Sequence, residues 1–108
     1  LIDKEIFKKY SFNKKYQIIG DFDLFVKLSC SFFIQCVQKP LANYRKHTTN
    51  FSEKNIDLYI DEVKHWINKN NSFFKKKNIH IYSPKILLFK LIIKRYIASF
   101  KKKFGIYF

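Results

Sequence analysis

The chain has 108 residues, a formal net charge of +14, and 47% hydrophobic and 19% aromatic residues. This length suits one small domain, and the apolar content is too high for a chain that is disordered throughout. The sequence contains no run of 18 apolar residues, which argues against a membrane-spanning helix. Because the first residue is Leu1 rather than Met, we expect the chain to be part of a longer protein.

The positive charge is concentrated toward one end of the chain. Residues 73–108 contain ten Lys and Arg and no acid, whereas residues 1–72 contain twelve Lys and Arg against eight acids. A strongly basic segment of this kind suits an anionic lipid surface or nucleic acid. Cys30 and Cys36 do not have the spacing of zinc ligands, and no secretory leader is recognisable. We expect both to be reduced, partly buried thiols in a cytosolic protein.

The first half of the chain is predicted to contain two helices and two strands. A short helix is predicted over residues 1–10, with Asp3 as its cap. The apolar spacing after the first glycine predicts a short buried helix from about Asp21 to Ser29. The segments Phe32–Gln38 and Leu41–His47 are predicted to be strands or extended, because β-forming residues are frequent in them.

Two longer helices are predicted in the second half. Ser52 is a candidate cap for a helix with apolar residues at helical spacing, which the asparagines at 70 and 71 are predicted to end. A linker with a possible short strand then leads to a helix that starts at Ser83 and Pro84 and runs to about Lys103. Because two short strands alone make a poor sheet, this order favours the later part of a larger α/β protein.

Two acids stand out in the stretch "IIGDFDLFVKLS". Asp21 and Asp23 lie at the start of a predicted helix, where a carboxylate can cap backbone N–H groups and complement the helix dipole. The apolar residues before them would place Asp21 at the edge of the core, where a carboxylate can act as a general base. These residues therefore support two readings of Asp21, a helix cap and a catalytic base.

A second group of polar residues lies in "NYRKHTTNFS". Arg45 and His47 are two residues apart, so on a strand their side chains would share one face. A guanidinium beside an imidazole suits a phosphate or metal–phosphate site, and an exposed edge strand with ordinary polar residues is the alternative. We predict that His65 and His80 are structural or surface residues.

The last predicted helix is amphipathic and basic. A helix of this kind can lie in a membrane interface, and packing on its own domain with a solvated lysine face is the alternative. Nucleic-acid binding is disfavoured, because no nucleic-acid motif accompanies the charge. The apolar residues are Ile86, Leu87, Phe89, Leu91, Ile93, Tyr96, Ile97 and Phe100, and the basic ones are Lys85, Lys90, Lys94, Arg95 and Lys101 to Lys103.

Taken in order, four stretches resemble the C-terminal half of an inverting family 2 glycosyltransferase of the GT-A fold. They are "LIDKEIFKKYSFNKKYQ", "GDFDLFVKL", "KPLANYRKH" and "TTNFS". The resemblance covers residues 1–72 and implies an α/β fold, mostly helical here with one or two short strands, followed by a basic amphipathic helical tail over residues 73–108. Gly20, Lys27 and Ser11 depart from the family's usual Glu, Arg and Gly.

The resemblance also implies roles for individual residues. Asp21 matches the aspartate that takes the proton from the acceptor hydroxyl, and Asp23 and Tyr44 would support the acceptor or the helix start. Arg45 would bind the diphosphate, and His47 would lie near the metal.

The implied reaction moves a sugar from a nucleotide-diphosphate sugar to a saccharide or lipid-linked acceptor, with a divalent metal, Mg or Mn, at the diphosphate. We expect a role in cell-surface polysaccharide or glycolipid synthesis, in the cytoplasm at the inner face of the cell membrane. The donor-binding half would lie upstream, so these residues alone would be inactive. The alternatives are a non-enzymatic basic module that binds anionic membrane or nucleic acid, and an inactive remnant.

Overall fold

The computed structural model describes residues 2–45 and 50–105, and this part of the chain contains helices and irregular segments but no strand. A 3-10 helix covers Lys4–Lys8. Four α-helices follow, α1 (Gly20–Ser31), α2 (Phe51–Lys54), α3 (Ile56–Lys76) and α4 (Tyr82–Phe104). The α/β fold class and the GT-A sheet expected from the resemblance are therefore wrong for the described residues, which form a small helical domain.

Both predicted strands are absent from the described residues. Residues 33–45 have no regular secondary structure, and large apolar side chains along them are exposed, including Phe33 at 89% and Leu41 at 74%. The β-forming residues are enriched in strands because they fit a pleated, half-buried surface. The described part of the chain offers no sheet with which this segment could pair, so the sequence preference alone does not make a strand.

The cysteines are free, but both are exposed rather than partly buried. Cys30 lies in the last turn of α1, and Cys36 lies in the irregular segment that follows it. The prediction of burial is wrong, because residues 29–45, which include both cysteines, are all exposed.

The two predicted caps in the first half have different outcomes. The Asp3 side chain accepts a hydrogen bond from the Glu5 backbone N–H at 3.0 Å, which confirms the cap, although the turn that follows is 3-10 rather than α. The residue before α1 is Ile19, and no side chain caps this helix. Asp21 therefore lies inside the first turn, where the dipole favours an acid, but it is not the N-cap.

The helix predicted from Ser52 is divided and also longer than expected. Ser52 lies inside the single turn of α2, and Asn55 separates this turn from α3. The Asn70 side chain donates to the Trp66 carbonyl oxygen at 2.8 Å. This bond to the preceding turn keeps the asparagine within the helix, so α3 continues to Lys76 and the predicted end is wrong.

The last helix is close to its prediction. It begins at Tyr82, one residue before the predicted cap Ser83. It ends at Phe104, and Gly105 follows in the left-handed conformation with φ 64°, as expected for a glycine that terminates a helix. Within the described residues, no helix combines the length and the apolarity needed to cross a membrane.

The core forms where α3 packs against α4 and against the segment that leads into α1. Apolar residues on one face of α3 are buried, as the helical spacing predicts. The core consists of Tyr16, Ile19, Ile60, Val63, Trp66, Ile67, Phe74, Ile81 and Leu91, and α1 also buries Leu24 and Leu28. The start of α1, which carries the two acids, is thus held against the middle of α3.

Candidate functional site

A pocket of about 350 Å³ is lined by the start of α1, the middle of α3 and the start of α4. Asp21 and Phe22 line it from α1, and Tyr59 and Trp66 line it from α3. The remaining lining residues are Ile18, Ile19, Ser52, Val63, Ser83, Pro84 and Leu87. One carboxylate, one phenol and two serine hydroxyls therefore share a mainly apolar cleft, a composition typical of small-molecule sites.

Asp21 is the acid of this pocket. Its side chain is exposed, and its Oδ1 accepts the backbone N–H of Phe22 at 2.7 Å. Because α1 begins one residue earlier, unpaired backbone N–H groups and the helix dipole favour a negative charge here. Within the described residues, Oδ2 makes no hydrogen bond and is available to accept a proton from a bound molecule.

Asp23, two residues on, has a different environment. It is only 3% exposed and does not line the pocket. Its Oδ1 accepts the Trp66 Nε1–H at 3.1 Å, and its Oδ2 pairs with Lys27 Nζ at 2.7 Å. Both oxygens are therefore occupied, and Asp23 fastens α1 to α3.

Glu62 is an important residue that the sequence analysis missed. It lies on α3 and is only 5% exposed. Its carboxylate accepts the backbone N–H groups of Gln17 at 2.6 Å, Ile18 at 2.9 Å and Ile19 at 3.1 Å. The available signal was its position, because an acid three residues after Tyr59 and four before Trp66 lies on the apolar face of a helix.

Two other predicted site residues, Tyr44 and Arg45, do not line this pocket. Tyr44 is 81% exposed, and its hydroxyl accepts from Asn50 Nδ2 at 3.5 Å. Arg45 is exposed and does not line the pocket, and His47 lies outside the described residues. Among the described residues there is no group of three His, Cys, Asp or Glu that could hold a metal ion. The metal and diphosphate roles of these residues therefore stay predictions.

The charge of Asp21, the predicted base, affects the pKa of Tyr59. Burial is the largest cause that raises the pKa of Tyr59 above its ordinary 10.0, and the charges of Asp21 and then Tyr44 act in the same direction. Burial also raises the pKa of Tyr16, with the charges of Asp23 and Glu62 as further causes. The charges of Asp21, Asp23 and Glu62 therefore act on two tyrosines, Tyr59 and Tyr16.

We expect Asp21→Asn to lower the pKa of Tyr59 toward 10.0, because the substitution removes one of the causes that raise it. Part of the shift should remain, because burial is its largest cause. Since the folded-state pKa is raised, the stability linked to Tyr59 is full below pH 10.0 and is lost as the pH rises through the folded-state pKa. An NMR titration of isotope-labelled tyrosine, assigned with Tyr59→Phe, measures this, and an unchanged pKa would contradict the proximity of the two side chains.

Comparisons of the chain with protein-family models, with curated proteins and with solved structures find no match.

Proposed function

We propose that this chain is the acceptor-binding part of an inverting glycosyltransferase, with Asp21 as the general base. The observation that carries the proposal is the placement of the Asp21 carboxylate at a helix start, on the wall of an aromatic pocket. The neighbouring Asp23 is fully occupied by Trp66 and Lys27, so only one of the two acids is available to a bound molecule. The resemblance of "GDFDLFVKL" to the family's acidic motif agrees with this assignment.

The lining of the pocket suits a saccharide. Tyr59 and Phe22 offer aromatic surfaces for the C–H faces of a sugar ring, and Ser52 and Ser83 offer hydroxyls for its polar edge. A volume of about 350 Å³ lies within the range of small-ligand sites. A hydroxyl of a sugar in this cleft would be within reach of Asp21.

The proposed step is a single displacement. The acceptor oxygen attacks the anomeric carbon of the donor while its proton passes to Asp21 Oδ2, and the bond from that carbon to the diphosphate oxygen breaks. Attack opposite the leaving group inverts the anomeric centre. A divalent metal, when bound, would offset the charge that grows on the diphosphate, and the proton transfer to Asp21 does not depend on it.

The test is sugar transfer by the full-length protein with a panel of nucleotide-diphosphate sugars. We expect release of a nucleoside diphosphate together with a glycoside whose anomeric configuration, read by NMR, is opposite to that of the donor. Transfer with retained configuration, or a folded full-length protein that transfers no sugar from any donor in the panel, would contradict the proposal.

We also infer that the protein attaches peripherally to an anionic membrane through α4. One side of this helix packs on α3, where Leu91 is buried and Leu87, Leu88 and Ile92 are partly buried. A second row of apolar side chains, three or four residues apart, is between 41% and 65% exposed. This row, called here the outer row, consists of Ile86, Phe89, Ile93, Ile97, Phe100 and Phe104.

The charge of α4 supports an anionic lipid surface as the proposed occupant of the outer row. The helix contains seven Lys and Arg and no acid. Two of the seven are directed to the protein, because Arg95 pairs with Asp57 at 2.9 Å and Lys94 with Glu53 at 3.5 Å. A second copy packed on the outer row would bring like charges together, and nucleic acid would leave the row exposed to water. An anionic bilayer satisfies the apolar row and the charge together.

This surface also favours a lipid-linked acceptor. Pro84 and Leu87, in the first turns of α4, line the pocket, and Ile86 and Phe89 of the outer row lie in the same turns. A helix that lies on the membrane would therefore keep the pocket close to the headgroups, where the sugar of a glycolipid is located. The location proposed for the protein is the cytoplasmic face of the cell membrane.

A further inference from the structure

We propose that Glu62 is the positioning residue for Asp21, an inference that rests on the glycosyl transfer proposed above. Glu62 lies on α3 and does not line the pocket, and its buried carboxylate binds the three backbone N–H groups that precede the start of α1. Three converging N–H donors form a site that an anion satisfies and a neutral amide does not.

Side chains of α3 bind the start of α1 at two places, before and after Asp21. Trp66, one turn beyond Glu62 on the same helix, donates its Nε1–H to Asp23 Oδ1 at 3.1 Å. Glu62 therefore fixes residues 17–19 and Trp66 fixes residue 23, and Asp21 lies between these two anchors. Both anchors come from one rigid element, since α3 is a continuous helix of 21 residues.

Asp21 itself is positioned by its backbone rather than by its side chain. The hydrogen bond of its carboxylate is to the N–H of the next residue, Phe22, within the same helical turn. The place of the carboxylate in the pocket is thus set by where α1 starts, and this start is set by Glu62. A base displaced by about 1 Å from its reacting hydroxyl loses a large part of its effect.

Glu62→Gln in the full-length protein tests this role. The glutamine has one acceptor oxygen and would turn its NH₂ group toward at least one of the three backbone N–H groups, so the anchor on residues 17–19 is weakened with little change in volume. We expect kcat for sugar transfer to fall by about 10- to 100-fold, while KM for the donor changes by less than about twofold. We also expect faster hydrogen exchange at the amides of residues 17–19.

The matched control is Asp61→Asn. Asp61 is the preceding residue on α3, is exposed, and undergoes the same change from acid to amide. The Asp61→Asn variant should transfer sugar like the wild type, with unchanged hydrogen exchange at residues 17–19. Glu62→Asp keeps the negative charge but places the carboxylate one methylene farther from the N–H groups of residues 17–19. Its kcat should therefore lie between those of the wild type and Glu62→Gln.

The outcomes separate this role from the proposed function. If the wild-type protein transfers sugar and folded Glu62→Gln has its kcat, the positioning role is wrong and the glycosyl transfer stands. If Glu62→Gln does not fold, Glu62→Asp takes its place as the test variant. For Glu62→Asp, a wild-type kcat together with wild-type hydrogen exchange at residues 17–19 would overturn the positioning role of Glu62. If the wild type transfers no sugar, both proposals are overturned.

Discussion

Asp21→Asn should lower kcat for sugar transfer by the full-length protein by about 10²- to 10⁴-fold, the usual contribution of a positioned general base. The amide cannot take the proton of the acceptor hydroxyl, yet it retains the shape of the carboxylate. KM for the donor should change little, because the side chain lines the pocket that we propose for the acceptor. The measurement is steady-state transfer with the donor and acceptor varied in turn.

This substitution should leave the fold intact. Asp21 is exposed, and its hydrogen bond is to its own neighbour Phe22, so the lost charge affects stability mainly through the helix dipole, by about 0.3 to 1 kcal/mol. Asp57→Asn is the matched control, because Asp57 is an exposed acid in the first turn of α3. Wild-type kcat in a folded Asp21→Asn protein would show that another group takes the proton.

The local features of this fold were predictable from the sequence, and the long-range ones were not. The spacing of apolar residues predicts α1, most of α3 and α4, because helical hydrogen bonds join residues close in sequence. The strands predicted over residues 32–47 depend on a partner segment, and the described part of the chain provides none. The prediction that Asn70 ends α3 is wrong for a local reason, because its side chain donates to the Trp66 carbonyl oxygen of the preceding turn.

In the candidate site, too, contacts between residues distant in sequence were not predictable. The apolar approach to Asp21 predicts an acid at the edge of the core, and in the structure the Asp21 side chain is exposed and lines a pocket that the sequence did not predict. The part played by Glu62 was not visible, because its hydrogen bonds reach backbone amides 43 to 45 residues away. The bond from Trp66 to Asp23 also spans 43 residues, so the helical spacing of apolar residues along α3 does not predict it.

Replacing three residues of the outer row, Phe89, Ile93 and Ile97, by Ser should weaken binding of the chain to anionic vesicles by about 100-fold. Each side chain is about half exposed, and returning each from lipid to water costs about 1 kcal/mol. The substitutions change no charge, so the loss reports apolar insertion alone. The measurement is co-sedimentation with vesicles of phosphatidylserine and phosphatidylcholine, at low and high salt.

The chain offers a matched control for this triple variant. Residues 33–45 expose apolar side chains of the same kinds, and replacing Phe33, Ile34 and Val37 by Ser removes a similar apolar surface without touching α4. This control should bind vesicles like the wild type, because the basic charge is concentrated on the other segment.

Salt then distinguishes the two contributions to binding. Contacts between lysines and phosphates weaken as salt rises, whereas insertion of apolar side chains does not. The wild type should therefore retain part of its binding at high salt, and the outer-row variant should lose it. Equal binding by the wild type and the outer-row variant would show that the charge acts alone.

Two other outcomes would assign these features to different partners. Wild-type self-association that the outer-row substitutions abolish, without vesicle binding, would assign the outer row to a second copy of the chain. Steeply salt-dependent binding to duplex DNA without vesicle binding would assign the basic charge to nucleic acid.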